Sequence, residues 1–370
     1  MYNGLVQTFS ESTAPQLLDQ CLAALRDISQ VQVSPFPQHP LTLESTKLDA
    51  VLELTIAGLA VRLLVEIKKT LYPRDVRHVL WQVRQLATRL PSAPTEAITL
   101  PFLIAERFSP GAQQALRAEQ AGYFAAGGSL FLPVAGAYLD IQRPPLASVN
   151  RILRSLFSGR ASQVVHALLS KPVDWFSGQS LAAAAHVLPT TVSQVVRELQ
   201  RLEWVAVQGK GPNKRRRLEA PTQLLDHWVQ YRATARPAKT ERFFVPTGGL
   251  SELLGVLAKG CAQHGVEYGV TQEVAGQAYA PFLSQVSRAH VRLQPHPAVD
   301  QVLAELNARP VAEGANLVRI EIRSDSEMLF RQQHQEIWMA SPIQVYLDLM
   351  DAPGRARELA AHLRRESIGF

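Results

Sequence analysis

Two stretches of alternating apolar residues, joined by Ala57-Gly58, form the clearest pattern in the chain. Between Leu48 and Lys69, apolar residues occupy every second position on each side of that dipeptide. Strict alternation predicts strands with one buried face, and a two-residue connection makes them a hairpin in which Ile56 faces Leu59. The buried face then receives Ala50, Leu52, Leu54, Ile56, Leu59, Val61, Leu63, Val65 and Ile67.

The opposite face of this hairpin carries charged residues. In the same register Glu53 faces Arg62, which is a favourable cross-strand pair. Asp49 faces Glu66, and two carboxylates in direct opposition are unfavourable unless something neutralises them. A divalent cation would do so, and Lys68 points to the same side as Glu66 because side chains alternate along a strand.

An Asp followed on the next strand by Glu-x-Lys resembles the PD-(D/E)xK nuclease superfamily. The resemblance implies that Asp49 and Glu66 hold Mg²⁺ and that Lys68 stabilises the attacking water or the charged transition state. Magnesium prefers such oxygen ligands, and a metal-bound hydroxide can attack phosphorus in line. Gln82, on the helix that follows, resembles the glutamine of the RecB-like branch. The alternative for Asp49, Glu66 and Lys68 is an ordinary strand with solvated charges, and the alternative for Gln82 is a surface glutamine without a role in the site.

Helices and strands alternate around the hairpin, which indicates an α/β restriction-endonuclease-like domain over residues 1–145. The predicted elements are helix 13–29, a helix from Tyr72 to about Leu90, strand Phe102–Ala105, a helix opened by Ser109-Pro110 and ended by Gly122, and strand Ser129–Leu132. Glu11 is a further candidate acid before the first helix. Arg143-Pro144-Pro145 marks a boundary.

Residues 151–220 show the pattern of a winged helix-turn-helix within a predicted domain 150–235. The predicted helices are Arg160–Leu169, Ser177–His186 and a third that starts at Pro189 and buries Val192, Val195, Val196 and Leu199. A strand at 204–207, a turn at 209–213 and a strand at 214–218 form the wing. The exposed residues suited to DNA bases and phosphates are Thr190, Thr191, Ser193, Gln194, Arg197, Lys210, Lys214, Arg215, Arg216 and Arg217.

The C-terminal segment, 240–370, mixes strands and helices as a further α/β domain. It includes Gly269-Val270-Thr271, with Thr271 as a helix cap, and SPIQVYLDL followed by GRARE. Together with the order of the preceding segments, these motifs resemble the AbiEi family, the antitoxin and repressor half of type IV toxin–antitoxin systems. The stretch 125–128 departs from the Gly-Asn motif of that family's nuclease-like domain.

The basic composition of the chain favours an anionic binding partner. The 370-residue chain has a net charge of +6, and its pI is about 9.4. Cys21 and Cys261 match no metal spacing, and neither a signal peptide nor a membrane span is expected, so the sequence predicts a cytoplasmic protein. Two functions compete: a transcriptional regulator that binds double-stranded DNA, with a toxin as further partner, and a Mg²⁺-dependent DNA endonuclease.

Overall fold

A computed structural model describes residues 14–34, 42–43, 46–88, 97–143, 155–209 and 211–370. Here the chain mixes helices with sheets, which confirms the expected mixed class of a multidomain protein. It divides into two compact units, one of residues 1–151 with 198–203 and one of residues 152–197 with 204–370. None of the described helices is both long enough and apolar enough to span a bilayer.

The first unit is built on one large sheet flanked by three helices. Its elements are α1 (Ala14–Arg26), β1 (Val31–Val33), β2 (Thr42–Leu43), β3 (Thr46–Lys47), β4 (Ala50–Ile56), β5 (Leu59–Leu71), α2 (Pro73–Ala87), β6 (Ile98–Phe108), α3 (Pro110–Ala118), β7 (Gly122–Ala125), β8 (Leu130–Val134) and β9 (Ala137–Ile141). The seven-stranded sheet has the order β1-β4-β5-β6-β7-β8-β9. Strands β5, β6 and β7 run parallel to one another, and the remaining neighbours are antiparallel.

Each face of this sheet packs against helices. The apolar face of the β4–β5 hairpin, including Leu52 and Leu63, forms one core with Leu25 and the other buried residues of α1. Val51 and Leu64 point the other way and join a second core with α2 and α3. The predicted buried face is therefore confirmed except at Leu59, which lies next to the hairpin turn and is 36% exposed. The second core explains why the charged face also carries apolar residues.

The hairpin turn has the geometry that its sequence predicts. Ala57 and Gly58 both have positive φ, at 49° and 85°, as a two-residue hairpin turn requires. The pairs run from Ile56 with Leu59 to Ala50 with Val65, so the predicted register is confirmed.

The prediction that Gly122 ends the preceding helix is wrong. That helix, α3, ends at Ala118, and Gly122 is the first residue of strand β7. A Cβ at this position would lie 2.5 Å from Cδ2 of Phe102. Glycine is needed here because a core aromatic ring approaches the backbone closely, which is a packing requirement and not a helix stop.

The second unit begins with helices and a small hairpin and continues into residues 221–370, called the larger domain below. The last residues of its third described helix, 198–201, are grouped with the first unit. Its elements are α4 (Gly159–Ser170), α5 (Gly178–Ala184), α6 (Pro189–Arg201), β10 (Val205–Gln208), β11 (Arg215–Leu218), α7 (Pro221–Thr234), β12 (Thr240–Phe244), α8 (Leu250–Gln263), β13 (Tyr268–Thr271), α9 (Gln272–Tyr279), β14 (Ala289–Leu293), α10 (Val299–Glu305), β15 (Arg309–Pro310), β16 (Leu317–Ile320), β17 (Gln332–His334), β18 (Ile337–Met339), α11 (Pro342–Asp351) and α12 (Ala356–Leu363). A second seven-stranded sheet has the order β15-β12-β16-β14-β13-β18-β17.

Two helices of the larger domain begin at a hydroxyl residue, and the two side chains behave differently. Ser341 caps α11, since its Oγ accepts from the backbone N–H of Gln344 at 3.1 Å. Thr271 holds the cap position of α9, but its hydroxyl donates to Asp348 Oδ2 at 2.6 Å. The predicted side-chain cap at Thr271 is therefore wrong: the bond to Asp348 turns the hydroxyl towards α11, and the side chain makes no cap hydrogen bond to α9.

Candidate functional site

Helix α6 presents a polar surface on its outer side. It begins at Pro189, and its apolar residues Val192, Val195 and Val196 are buried. Helical spacing then leaves the remaining positions outside. Of the predicted DNA-contact residues, Thr190, Ser193, Gln194 and Arg197 are exposed, and Thr191 is half-buried.

The basic strand β11 forms the middle of a small sheet. It pairs with β10 in antiparallel register, with Val205 opposite Leu218. On its other edge the backbone of Arg216 exchanges two hydrogen bonds with Phe176, at 2.8 and 3.0 Å. Phe176, which lies just before α5, therefore pairs with β11 like a residue of a third strand. The sequence analysis did not predict this pairing. A single isolated bridge leaves no alternating pattern from which it could have been found.

The cations of this basic strand differ in what they contact. Arg215 is exposed, while Lys214 and Arg216 are half-buried. Arg217 donates to Glu219 Oε1 from Nε and Nη2, at 2.9 and 2.7 Å, and its guanidinium lies 5.0 Å from the ring centre of Trp175. Arg217 is thus held by neighbours within the protein. Lys210 lies outside the described residues, as does Glu11.

Positive charge is concentrated in this part of the chain. Residues 177–218 contain seven Lys and Arg but only two Asp and Glu, in a chain whose total net charge is +6. Because clustered cations raise the local potential, an anion that approaches this surface is attracted more strongly than the average charge density implies. The chemistry of the surface suits a polyanion.

The charged face of the β4–β5 hairpin brings three predicted residues together. Asp49 lies at the entry to β4, where its Oδ2 accepts from the backbone N–H of Ile67 at 2.7 Å. Glu66 forms an ion pair with Lys68, and each of these two side chains is only 14% exposed. Glu53 and Arg62 form their own pair at 2.8 Å.

Electrostatics at this site reflects its burial. Desolvation raises the pKa of Glu66, the charge of Lys68 lowers it, and the nearby charge of Asp49 raises it again; the net shift is upward. The charge of Asp49 therefore acts on Glu66. Both carboxylates already have protein partners, one a backbone amide and the other an ammonium.

The rest of the predicted nuclease-like site is less complete. Gln82 is half-buried on α2, and among the described residues no hydrogen bond joins it to Asp49, Glu66 or Lys68. Within the same residues, no group of three or more His, Cys, Asp and Glu side chains is arranged to hold a metal ion. If Mg²⁺ binds, Asp49 and Glu66 are the ligands that the chain offers here, with water completing its shell.

A buried ionic cluster in the second unit was not anticipated from sequence. Asp348, 2% exposed, accepts from Arg292 Nη2 at 2.9 Å and from Arg232 Nη2 at 3.0 Å. Arg292 also donates to Glu327 Oε2 at 3.1 Å. Burial alone raises the pKa of Asp348, but the two arginines outweigh it and lower that pKa below its usual range. Ser341, Gln344 and Asp348 share one face of an otherwise apolar helix, and that signal was available in the sequence.

His166 on α4 is also fully buried in the second unit. Its Nδ1 contacts the carbonyl oxygen of Ser326 at 2.9 Å, so Nδ1 carries the proton. Nε2 then accepts from the hydroxyl of Ser341 at 2.6 Å. Burial lowers the pKa of His166 to about 4, although the bond to Ser326 opposes the shift. The imidazole is therefore a neutral structural group that joins α4 to the larger domain.

Comparison with known proteins assigns no family to this geometry. The chain matches no protein-family model, no curated protein and no solved structure. The function is therefore inferred from the residues and their arrangement.

Proposed function

We propose that the chain is a DNA-binding transcriptional regulator of the AbiEi antitoxin kind. Its helices α4–α6 and strands β10–β11 act as a winged helix, and the first unit is a restriction-endonuclease-like scaffold. The main observation that supports DNA binding is the polar outer face of α6, in a segment that also contains the basic strand β11. The resemblance adds a toxin protein as a further partner, with residues 240–370 as its expected contact region.

The two parts of this surface have different tasks in the proposal. Helix α6 is the element that enters the major groove, where amide and guanidinium groups such as Gln194 and Arg197 discriminate base edges. The hairpin β10–β11 lies along the phosphate backbone, because cations there supply affinity without reading sequence. Arg215, exposed on β11, is best placed for phosphate, whereas Arg217 is already engaged by Glu219.

Removing Lys214 and Arg215 together is expected to flatten the salt dependence of DNA binding. Each lost phosphate contact removes about 0.9 from the slope of log affinity against log salt, so the double alanine variant should lose about 1.8. Fluorescence anisotropy with a labelled duplex across a salt series measures this slope. The variant Arg355→Ala with Arg365→Ala removes the same charge from other exposed positions and should retain the parent slope. Equal slopes in all three proteins would place the DNA surface elsewhere.

Replacing Gln194 with Ala is expected to reduce sequence preference more than general affinity. A good base contact contributes about 1–3 kcal/mol of discrimination, so the preference for the cognate site over random DNA should fall by that amount. Arg197→Ala is the companion variant, and a binding-site selection experiment supplies the cognate sequence. Losses of equal size on cognate and random DNA would assign both side chains to phosphate.

A Mg²⁺-dependent endonuclease is the second candidate, favoured by the proximity of Asp49, Glu66 and Lys68 on one hairpin face. In that case the two acids bind the metal and Lys68 stabilises charge on the attacked phosphate. Against it stand the existing partners of both acids, the backbone amide of Ile67 and the ammonium of Lys68. In the regulator that we propose, the first unit serves as a scaffold without cleavage activity.

We expect no metal-dependent cleavage and no metal stabilisation from this hairpin. Thermal unfolding with and without Mg²⁺ or Mn²⁺ tests binding, since a ligand at 100 times its dissociation constant stabilises by about 2.7 kcal/mol. Asp49→Asn and Lys68→Ala are the test variants, and Glu53→Gln is the matched control on the same hairpin. Nicking of DNA that is lost in both test variants and kept in the control would establish the nuclease instead.

A further inference from the structure

The residue directly before helix α6 departs from the pattern of the helix itself. Leu188 is 62% exposed, whereas the apolar residues Val192 and Val195 of α6 are at most 3% exposed. Pro189 and Thr190, the first two residues of the helix, are exposed as well. The leading end of α6 therefore presents a large apolar side chain to solvent.

Leu188 occupies the cap position of this helix. Its carbonyl oxygen accepts from the backbone N–H of Thr191 at 3.0 Å, in the first turn of α6. Cap positions favour Ser, Thr, Asp and Asn, because their side-chain oxygens accept from the open N–H groups of that turn. A leucine has no such oxygen, so Leu188 does not stabilise the helix start, and at 62% exposure it adds little to the core.

The preceding helix shows the usual solution. Ser177 caps α5, since its Oγ accepts from the backbone N–H of Ser180 at 3.0 Å. Single apolar residues are common on protein surfaces, but most do not replace a residue type that would stabilise the fold at the same position. A residue that breaks a local rule without a gain in packing is expected where function requires it.

The proposed DNA surface offers a partner for an apolar side chain at this end of α6. In a helix-turn-helix, residues at the N-terminus of the recognition helix contact base edges in the major groove. The C5-methyl of thymine is the apolar group that the bases present there. Contact between this methyl and a leucine removes apolar surface of both from water, which is favourable. Cytosine has a hydrogen at the same position and gives no such gain.

We propose that Leu188 contacts a thymine methyl group and thereby contributes to the sequence preference of the chain. The inference rests on the proposed function, since it assigns a base to one end of the helix that enters the groove. Its chemistry differs from that of Gln194 and Arg197, whose polar groups suit the donor and acceptor atoms of base edges. The preferred site therefore contains an A·T pair that is recognised by its methyl group.

Deoxyuridine tests this contact, because it pairs as thymidine does and lacks only the C5-methyl group. Each thymine of the selected cognate duplex is replaced in turn by deoxyuridine, and fluorescence anisotropy measures binding to the full chain. We expect at least one position at which the replacement weakens binding by about threefold to fivefold, the effect of one buried methyl group.

Leu188→Ser separates a protein contact from an effect of the methyl group on the DNA alone. At the position found in the scan, this variant should bind the thymine and deoxyuridine duplexes about equally. Because serine restores a side-chain cap, the melting temperature should also rise by about 2–4 °C. Val173→Ser is the matched control, since Val173 is apolar and 78% exposed but lies before α5; it should keep the deoxyuridine penalty.

The outcomes distinguish this proposal from the function on which it rests. An unaltered protein that binds no duplex overturns both. Binding to a cognate site with no penalty from deoxyuridine at any position, or with no preferred A·T pair, overturns the role of Leu188 alone. An equal penalty in the unaltered protein and in Leu188→Ser has the same meaning, because another group then contacts the methyl. Leu188→Ala repeats the comparison if the serine variant fails to fold.

Discussion

Replacing Asp348 with Asn is expected to destabilise the second unit by about 3–5 kcal/mol, the usual cost of removing one partner from a buried ion pair. The side chain is 2% exposed and accepts from both Arg292 and Arg232. Arg292 is itself 1% exposed, so without Asp348 its one remaining ion pair within the described residues is with Glu327. The loss arises from the arginines left behind more than from the contact removed.

The charges of the partners decide the ionisation state of Asp348. Desolvation favours the neutral acid, because an isolated buried carboxylate is poorly solvated. The two arginines reverse this preference and lower the pKa of Asp348, with help from the hydroxyl of Thr271. Asparagine preserves the shape and one oxygen acceptor but removes the negative charge, and its NH2 group would face groups that donate to Asp348.

Chemical denaturation at neutral pH measures this effect. Four of the five tryptophans, at 175, 204, 228 and 338, lie in the second unit, so intrinsic fluorescence reports mainly on its unfolding. Asp351→Asn is the matched control, because Asp351 also binds Arg232 but is 39% exposed. Because water screens the exposed carboxylate of Asp351, this pair should contribute about 1 kcal/mol or less. Similar losses in the two variants would contradict a special role for the buried carboxylate.

Features set by neighbouring residues were predictable from the sequence. The β4–β5 register follows from apolar alternation and from a turn whose residues accept positive φ. The buried and exposed positions of α6 follow from helical period alone. Both features depend on residues that are close in sequence, so the order of apolar and polar residues is enough to predict them.

Features that depend on distant residues were not predictable in this way. Arg292 and Asp348 are far apart in sequence, and no local pattern indicates that one will neutralise the other. The packing of Phe102 against Gly122 likewise decides that a glycine begins a strand instead of ending a helix. Such pairings appear only when the tertiary fold brings the two residues together.

The basic segment shows the same limit within a candidate site. Four consecutive cations at 214–217 look equivalent in the sequence, but Arg217 is held by Glu219 and Trp175 while Arg215 is exposed. Alternation along β11 gives them different surroundings. The expected contributions to phosphate binding therefore differ from residue to residue.

His166 is expected to make the stability of the second unit fall as the pH drops below neutrality. Burial lowers the pKa of this imidazole to about 4 from the ordinary value of 6.5. In acid the unfolded chain takes up the proton first, so this contribution to stability is complete above pH 6.5. It declines as the pH falls towards 4, where the folded protein is protonated as well.

Over that interval the contribution amounts to about 3 kcal/mol, since each unit of pKa difference corresponds to about 1.4 kcal/mol. Unfolding free energies at pH 7.5 and pH 4.5 should therefore differ by much less in His166→Asn than in the unaltered protein. Other titrating groups affect both proteins alike and cancel in this comparison. His186→Asn, at an exposed position in the same unit, should keep the full pH dependence. If His166→Asn keeps it too, the buried imidazole is not the group that titrates.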